Sequence, residues 1–213
     1  MLGRVHAQFL DLLFPRRCVL CNREEGWACK SCAQKVTLLK GNDEIPALFD
    51  FDEPLIRELL QNLKYQGIYE AAETLVDLAK EVTSAALVRK NLALLAPAVL
   101  IPVPSSKNRQ AKRGYSQTEY VAKALSGWLE IPYMVGGVSR ESGETLVGKN
   151  KEERAVAMIG AFTWKGLSQE WMDRQWVVVD DTYTTGSTLR SVQEVLQPYT
   201  KYPVRGLVMA RAL

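Results

Sequence analysis

Apolar side chains recur along several segments of this chain with the spacing of about 3.6 residues that is typical of helices. The first segment is a short amphipathic stretch that ends at Pro15, and the second leads to Gly67, a residue type that commonly closes a helix. Ser116 and Glu119 have the spacing of a capping box, which predicts that a helix begins there. The predicted helices cover residues 2–14, 55–64, about 69–90, 116–129 and about 187–197.

Short apolar runs between these helices predict strands. The run 176–181 reads Trp-Val-Val-Val-Asp-Asp and is apolar enough for the centre of a parallel sheet. Residues 139–154 are polar and without periodicity, which predicts a long mobile loop. Because strands alternate with helices, the predicted fold class is α/β, with a mainly parallel sheet flanked by helices. The other predicted strands are 47–51, 98–104, 131–138, 157–162 and 204–211.

The composition is that of a folded protein. With 213 residues and 47% apolar content, the chain can bury roughly 70% of its surface on folding. This predicts one compact domain with a small appendage, and the 24% of charged residues gives no sign of disorder. The chain has no apolar run of 18 residues and does not begin like a secretory signal, so we expect a cytoplasmic protein. The amphipathic start leaves open a peripheral position at the inner face of the membrane.

The modest net charge of +3 is unevenly distributed. Residues 1–40 hold seven Lys and Arg against three Asp and Glu, whereas the rest of the chain holds 20 against 21. A second basic cluster, without an intervening acid, consists of Lys107, Arg109, Lys112 and Arg113. Such clusters bind phosphates or nucleic acid, although a solvated basic surface explains the charge equally well.

All four cysteines lie within fifteen positions, as two Cys-x-x-Cys pairs separated by seven residues: Cys18, Cys21, Cys29 and Cys32. In a cytosolic chain, two such pairs indicate a metal site rather than disulfides. Zinc suits four thiolates better than an iron–sulfur cluster does, and a site with four protein ligands is structural. We therefore predict an N-terminal zinc module over residues 1–40 and a second domain over 41–213.

The segment that best indicates chemistry follows the apolar run 176–179. Two carboxylates, Asp180 and Asp181, precede a hydroxyl-rich loop and a predicted helix. Backbone N–H groups at a helix N terminus, together with Thr and Ser hydroxyls, bind phosphate, whereas carboxylates bind ribose hydroxyls directly or through Mg²⁺. The segment therefore predicts recognition of a sugar diol and its 5′-phosphate. It lacks the Gly-Lys-Ser/Thr of a Walker loop and the Gly-x-Gly of a dinucleotide fingerprint.

This pattern resembles the phosphoribosyl pyrophosphate (PRPP) signature of the type I phosphoribosyltransferases. The resemblance implies that Asp180 and Asp181 are the catalytic carboxylates and contact the ribose 2′ and 3′ hydroxyls. It also implies that PRPP binds with Mg²⁺. The residues that it assigns to the 5′-phosphate cradle are Thr182, Tyr183, Thr184, Thr185, Gly186, Ser187 and Thr188.

Enzymes of this type also need an anion site for pyrophosphate. The loop after the predicted strand 98–104 has a suitable form, because its prolines stiffen a turn next to the basic cluster. The predicted pyrophosphate ligands are Ser105, Ser106 and Lys107. Arg109, Lys112 and Arg113 either add charge to this site or bind a nucleic-acid backbone.

The combination of a four-cysteine module with a phosphoribosyltransferase-like domain resembles the ComF family, which comprises ComFC- and GntX-like proteins. The matching pieces are the cysteines, residues 63–67, residues 101–125 and the loop 180–186. The resemblance implies a competence protein that binds PRPP and single-stranded DNA and assists DNA uptake in natural transformation. The implied partners are a DNA-translocating helicase and recombination proteins. A metabolic phosphoribosyltransferase with an unidentified acceptor and a PRPP-sensing regulator without catalysis remain alternatives.

Overall fold

The protein is described here by a computed structural model, which covers residues 15–39, 45–105, 110–111, 114–140 and 161–212. Four parallel strands form the central sheet in the order β1-β6-β5-β2, and β3 and β4 form a separate antiparallel ribbon. The predicted fold class, a mainly parallel sheet flanked by helices, is confirmed. The strands are β1 (Ala47–Asp50), β2 (Ala98–Pro102), β3 (Val138–Arg140), β4 (Phe162–Trp164), β5 (Gln175–Tyr183) and β6 (Arg205–Arg211).

Helices cover both faces of the sheet. The side chains of β5 alternate between the two faces: Val177 and Val179 belong to one buried apolar cluster, and Trp176 and Val178 belong to the other. This alternation explains why the β5 sequence is apolar at successive positions. The helices are α1 (Lys30–Ala33), α2 (Pro54–Gln61), α3 (Ala71–Val82), α4 (Ala85–Asn91), α5 (Gln117–Leu129), α6 (Gln169–Met172) and α7 (Ser187–Leu196).

The prediction of a single helix over 69–90 is wrong, because α3 and α4 are separated at Thr83 and Ser84. Both of these residues have extended backbone dihedral angles. The Ser84 hydroxyl accepts a hydrogen bond from the backbone N–H of Leu87 at 3.2 Å. A serine that caps a new helix therefore overrides the apolar periodicity that continues across the break.

The predicted strand 131–138 is also largely wrong. Residues 132–134 contact the edge of β2 through two backbone hydrogen bonds to Leu100, and Tyr133 forms an isolated bridge there. Regular strand structure begins only at Val138, in β3. The predicted helix 2–14, the first part of the predicted strand 157–162 and most of the predicted loop 139–154 lie outside the described residues.

The cysteine module packs against the helical layer. Cys18, Cys29 and Cys32 are buried in the same apolar cluster as the helices of that layer, and Trp27 packs against this cluster. Module residues and α3 residues also line a common groove. The module therefore shares the main core, although its predicted boundary at residue 40 remains a prediction. Within the described part of the chain, no helix is long and apolar enough to cross a membrane.

Gly206 lets α7 approach the sheet closely, and we predict that Gly206→Ala is destabilising. A Cβ atom at this position in β6 would lie 2.6 Å from Cδ2 of the buried Leu189 of α7 and 3.2 Å from Cγ2 of Ile45. Overpacking of this kind costs about 1–3 kcal/mol, which urea denaturation would measure. Gly127 in α5 is the matched control, because a Cβ there meets nothing within 4 Å. Gly127→Ala should stabilise the protein by about 0.5–1 kcal/mol, and equal effects of the two substitutions would contradict the packing explanation.

Candidate functional site

The candidate site lies where β5 ends and α7 begins. The sequence pattern predicts that the strand stops at Asp181, but β5 continues to Tyr183, because Thr182 and Tyr183 pair with Ala210 and Arg211 of β6. The connecting loop is therefore only three residues long. Its last residue, Gly186, occupies the N-cap position of α7 with a φ of 73°, a backbone conformation that favours glycine.

Asp181 is the most strongly held side chain of the site. It is 4% exposed, and its Oδ1 lies 3.1 Å from the Lys64 ammonium group. Gln117 Nε2 donates a hydrogen bond to Asp181 Oδ2 at 2.5 Å, and Lys64 Nζ also donates to Thr182 Oγ1 at 2.9 Å. Both carboxylate oxygens of Asp181 are thus bound by residues from two other segments of the chain. A buried carboxylate with an ion pair and a hydrogen bond is fixed in orientation.

The segment that carries Lys64 is itself fixed by the rest of the site. Residues Asn62–Gln66 form a π-helical turn after α2, and Gly67 ends it with a φ of 73°. The Tyr115 hydroxyl donates a hydrogen bond to the backbone carbonyl of Leu63. Since Tyr115 immediately precedes the start of α5, where Gln117 lies, two distant sequence segments meet at the end of β5. Such π-helical turns often occur at functional sites.

Asp180 is in a different environment from its neighbour. It is half-buried, and its Oδ1 accepts a hydrogen bond from the backbone N–H of Asp181 at 2.9 Å. Burial raises the pKa of Asp180 to about 7, and the negative charge of Asp181 adds to this effect, whereas Lys64 and Arg140 oppose it. A carboxyl group with a pKa near 7 both accepts and donates protons at neutral pH.

The loop and the start of α7 supply hydroxyl groups. Thr185 Oγ1 lies 3.0 Å from Ser187 Oγ and accepts the backbone N–H of Ser187 at 3.3 Å. The Tyr183 ring packs over the loop, since a Cβ at Gly186 would lie 2.4 Å from it. Arg190 of α7 donates to the Tyr183 hydroxyl at 2.8 Å. The backbone N–H groups at the N terminus of α7, together with the neighbouring hydroxyl groups of Thr185 and Ser187, are suited to bind an anion.

The predicted site residues are partly brought together. The two predicted ribose carboxylates, 180–181, and the whole predicted phosphate cradle, 182–188, lie on this strand, loop and helix start. Ser105 follows β2, whose neighbour Val103 donates its backbone N–H to the carbonyl of Val179, so Ser105 lies at the same edge of the sheet. The other predicted ligands of the basic segment lie outside the described residues: Ser106, Lys107, Arg109, Lys112 and Arg113.

Two residues of the site, Lys64 and Gln117, have no role in the sequence analysis. Both lie in segments that the family resemblance includes, 63–67 and 101–125, but a lysine and a glutamine on predicted helices carry no pattern of their own. Ser116 occupies the N-cap position of α5 as expected, but its hydroxyl lies 3.2 Å from Thr118 Oγ1 and does not cap the helix. The predicted reciprocal capping box is therefore not formed.

The four cysteines are positioned to hold one metal ion. The sulfur atoms of Cys18, Cys21, Cys29 and Cys32 all lie within 4.8 Å of one another. Tetrahedral thiolate coordination of zinc, with bonds of about 2.3 Å, separates neighbouring sulfurs by about 3.8 Å, a separation that lies within this limit. A hydrogen bond with the Ser31 hydroxyl, 3.2 Å from Cys29 Sγ, lowers the pKa of the Cys29 thiol to about 6. The donor set therefore fits a thiolate-ligated metal.

Comparison with known proteins confirms the resemblance predicted from the motifs. The chain is 29% identical to competence protein F of Haemophilus influenzae over 92% of this chain and 84% of that protein. It is 28% identical to competence protein ComFC of Bacillus subtilis, over 81% of this chain and 68% of that one. The DNA utilization protein YhgH of Escherichia coli K12 is 28% identical, over 79% and 70% of the two chains. No protein-family model matches the chain.

Among solved structures, a hypoxanthine phosphoribosyltransferase from Staphylococcus aureus matches 68% of this chain with 15% identity and a TM-score of 0.34. The match covers 62% of that enzyme, which is less than two thirds of its length.

We predict that Cys18→Ser removes the metal and lowers the melting temperature of the whole protein. The reason is that Cys18 is both one of the four cysteines positioned to hold a metal and a member of the main buried cluster, so loss of the module would also expose the helical layer. Elemental analysis and calorimetric melting would measure both effects. The control is Leu20→Ser, because Leu20 is 43% exposed within the same module. Full metal content in Cys18→Ser, or melting unchanged after metal loss, would contradict the prediction.

We also predict that Asp180→Asn stabilises the protein more at pH 8 than at pH 4.5. The folded protein keeps the Asp180 proton up to about pH 7, whereas the unfolded chain releases it near pH 4. Folding therefore binds a proton between these values, and Asp180 makes the native state less stable as the pH rises through this window. Asparagine removes this effect, which should raise the melting temperature at pH 8 by at least roughly 2–4 °C.

Scanning fluorimetry at both pH values would test the Asp180 prediction. Asp77 provides the control, because its side chain is 68% exposed on α3 and pairs with Lys80. Asp77→Asn should give melting curves that follow the unmodified protein at both pH values. A stabilisation by Asp180→Asn that is equal at pH 4.5 and pH 8 would show that burial does not raise this pKa.

Proposed function

We propose that this chain is a ComF-like competence protein that binds PRPP with Mg²⁺ and binds single-stranded DNA, and so assists DNA uptake in natural transformation. The names of its relatives, competence proteins F and ComFC, support the role in competence. The observation that carries the PRPP assignment is the anchoring of Asp181 by Lys64 and Gln117 directly before a hydroxyl-rich loop and helix N terminus. This arrangement suits a ligand with both a diol and a phosphate.

In this proposal, different residues of the site bind the ribose, the 5′-phosphate and the pyrophosphate of PRPP. Asp180 and Asp181 contact the ribose 2′ and 3′ hydroxyls, and residues 182–188 surround the 5′-phosphate. Lys64 holds Asp181 in place through their ion pair, which makes Lys64 a positioning residue. Ser105, Ser106 and Lys107 bind the pyrophosphate, whose charge Mg²⁺ shares. The prolines around the end of β2 and the positive charge of Lys107 suit this role.

The cysteine module has a structural role in this proposal, and the basic segment binds DNA. The metal of the cysteine module is zinc in a structural role, because four protein sulfurs leave no open coordination position. Arg109, Lys112 and Arg113 bind the phosphates of single-stranded DNA. A DNA-translocating helicase and recombination proteins are the proposed partners. The proposed location is the cytoplasm, with a peripheral position at the inner face of the membrane as an alternative.

A metabolic phosphoribosyltransferase is the second candidate. The same loop would hold PRPP while an acceptor attacks C1′ and pyrophosphate leaves. The raised pKa of Asp180 favours this candidate, because such a group can take a proton from an acceptor at neutral pH. A PRPP-sensing regulator would bind PRPP without releasing pyrophosphate. Pyrophosphate release from PRPP, measured with and without a panel of acceptors, distinguishes these functions.

We predict that two sets of substitutions separate the PRPP site from the DNA site. At pH 8, where Asp180 is largely ionised, Asp180→Asn should weaken binding of PRPP with Mg²⁺ by at least about tenfold, because a charge-assisted hydrogen bond is lost. Joint substitution of Arg109, Lys112 and Arg113 by alanine should weaken single-stranded DNA binding. Each lost phosphate contact should reduce the slope of log affinity against log salt by about 0.7. Calorimetry and fluorescence anisotropy would measure the two affinities.

Each set of substitutions serves as the control for the other. Asp180→Asn should leave DNA binding intact, and the triple alanine variant should lose far less PRPP affinity than Lys107→Ala. Unchanged PRPP affinity in Asp180→Asn would refute the ribose assignment. Intact DNA binding with lost PRPP binding in the triple variant would place the basic segment in the small-molecule site and favour the metabolic transferase.

A further inference from the structure

Three aromatic rings lead from the core to the surface at the C-terminal end of α7. Trp164 of β4 stacks on Trp176, with ring centroids 5.4 Å apart, and on Tyr199, with centroids 4.8 Å apart. Trp176 is fully buried, whereas Tyr199 is 46% exposed. The interplanar angles of 26° and 17° show that the rings are close to parallel. Tyr199 therefore presents a broad apolar ring to solvent on a support that packing holds rigid.

Cationic side chains lie near these rings, and two of them are stacked on neighbouring rings. The Arg174 guanidinium lies 5.3 Å from the Trp171 ring, and Lys201 Nζ lies 5.2 Å from the Tyr202 ring. Lys165 follows Trp164 directly and is exposed. Two carboxylates lie in the same region: Asp173 pairs with Lys201 at 3.7 Å, and Glu170 accepts a hydrogen bond from Ser168. Three cations therefore stand against two carboxylates. The surface therefore combines exposed aromatic area with positive charge.

A shallow groove borders the same surface. Its lining includes Gly136, Gly137, Lys165 and Trp171, so two of its residues also belong to the region around the rings. Its volume of about 440 Å³ lies within the usual range for ligand pockets of roughly 300–1,000 Å³. A Cβ at Gly136 would meet nothing within 4 Å, so the groove is open there, whereas the Leu167 side chain covers Gly137. The open part leaves space for an extended backbone beside the rings.

We propose that this surface is a second contact site for single-stranded DNA, in which a base stacks on Tyr199 and the neighbouring phosphates follow Lys165 and the groove. The combination matches the chemistry of single-strand binding, where bases stack on aromatic side chains and cations follow the backbone. This inference rests on the proposed DNA binding. It adds a base-contacting site to the basic segment, which is assigned only to phosphates.

The stacking surface is separate from the PRPP site. Tyr199 lies in the short 3₁₀ turn that follows α7, whereas the loop of the proposed PRPP site, between β5 and α7, precedes α7. The ten residues of α7 span about 15 Å. Substitutions at Tyr199 therefore leave the PRPP loop intact, and PRPP affinity reports that each variant is correctly folded.

The test compares two ligands of equal charge. Oligo(dT) of about twelve nucleotides falls within the range of roughly 4–16 nucleotides for single-strand sites, and an abasic oligomer of the same length has the same phosphates without bases. Tyr199→Ala should weaken oligo(dT) binding about tenfold, as expected for one lost base–aromatic stack, and leave abasic binding unchanged. Tyr199→Phe should restore the affinity. Lys165→Ala should instead reduce the salt slope for both oligomers by about 0.7.

The matched control is Tyr69→Ala, because Tyr69 is 45% exposed and also stacks on another ring, that of Tyr120. This substitution should leave both affinities unchanged. Oligo(dT) binding that survives Tyr199→Ala would overturn the inference while the proposed DNA binding stands, and so would equal losses for both oligomers. Failure of the unmodified protein to bind either oligomer would overturn both proposals.

Discussion

The ion pair between Asp181 and Lys64 is the constraint on which the site depends. The two side chains are only 6% and 20% exposed, so both charges have lost much of their hydration. Removal of one partner from such a pair typically costs about 3–5 kcal/mol, because the other charge is left buried without compensation. The pair joins the end of β5 to the turn after α2, which are 117 positions apart. Gln117 extends the connection to α5.

The alternation of side chains along a strand explains why two adjacent aspartates have different properties. Asp181 lies on the side of β5 that faces Lys64 and Gln117, and its charge is compensated there. Asp180 lies on the other side, where burial and the charge of Asp181 raise its pKa to about 7. The compensated charge of Asp181 thus helps to keep its neighbour protonated near neutral pH. Asp181 therefore has a fixed orientation, whereas Asp180, the residue before it, gains or loses its proton near neutral pH.

Sequence patterns predict those parts of this fold that depend on interactions between residues close together in the chain. The apolar run of β5, the carboxylates at its end and the glycine before α7 follow from strand burial and from the conformational freedom of glycine. The cysteine cluster follows from its spacing. Other features depend on long-range contacts. The last two residues of β5 are in a strand because β6 extends to Arg211, and Lys64 belongs to the site only because folding brings it to Asp181.

The placement of α7 connects the stability of the fold to both of its proposed ligand surfaces. This helix has ten residues, too few to be stable alone, so packing on the sheet must maintain it. The absence of a side chain at Gly206 allows Leu189 to come close to β6. A larger residue there would push the helix outwards and move the loop between β5 and α7 at one end and the ring support of Tyr199 at the other. A glycine within a strand, which by itself weakens the sheet, is therefore compensated by the close packing of the helix that carries both surfaces.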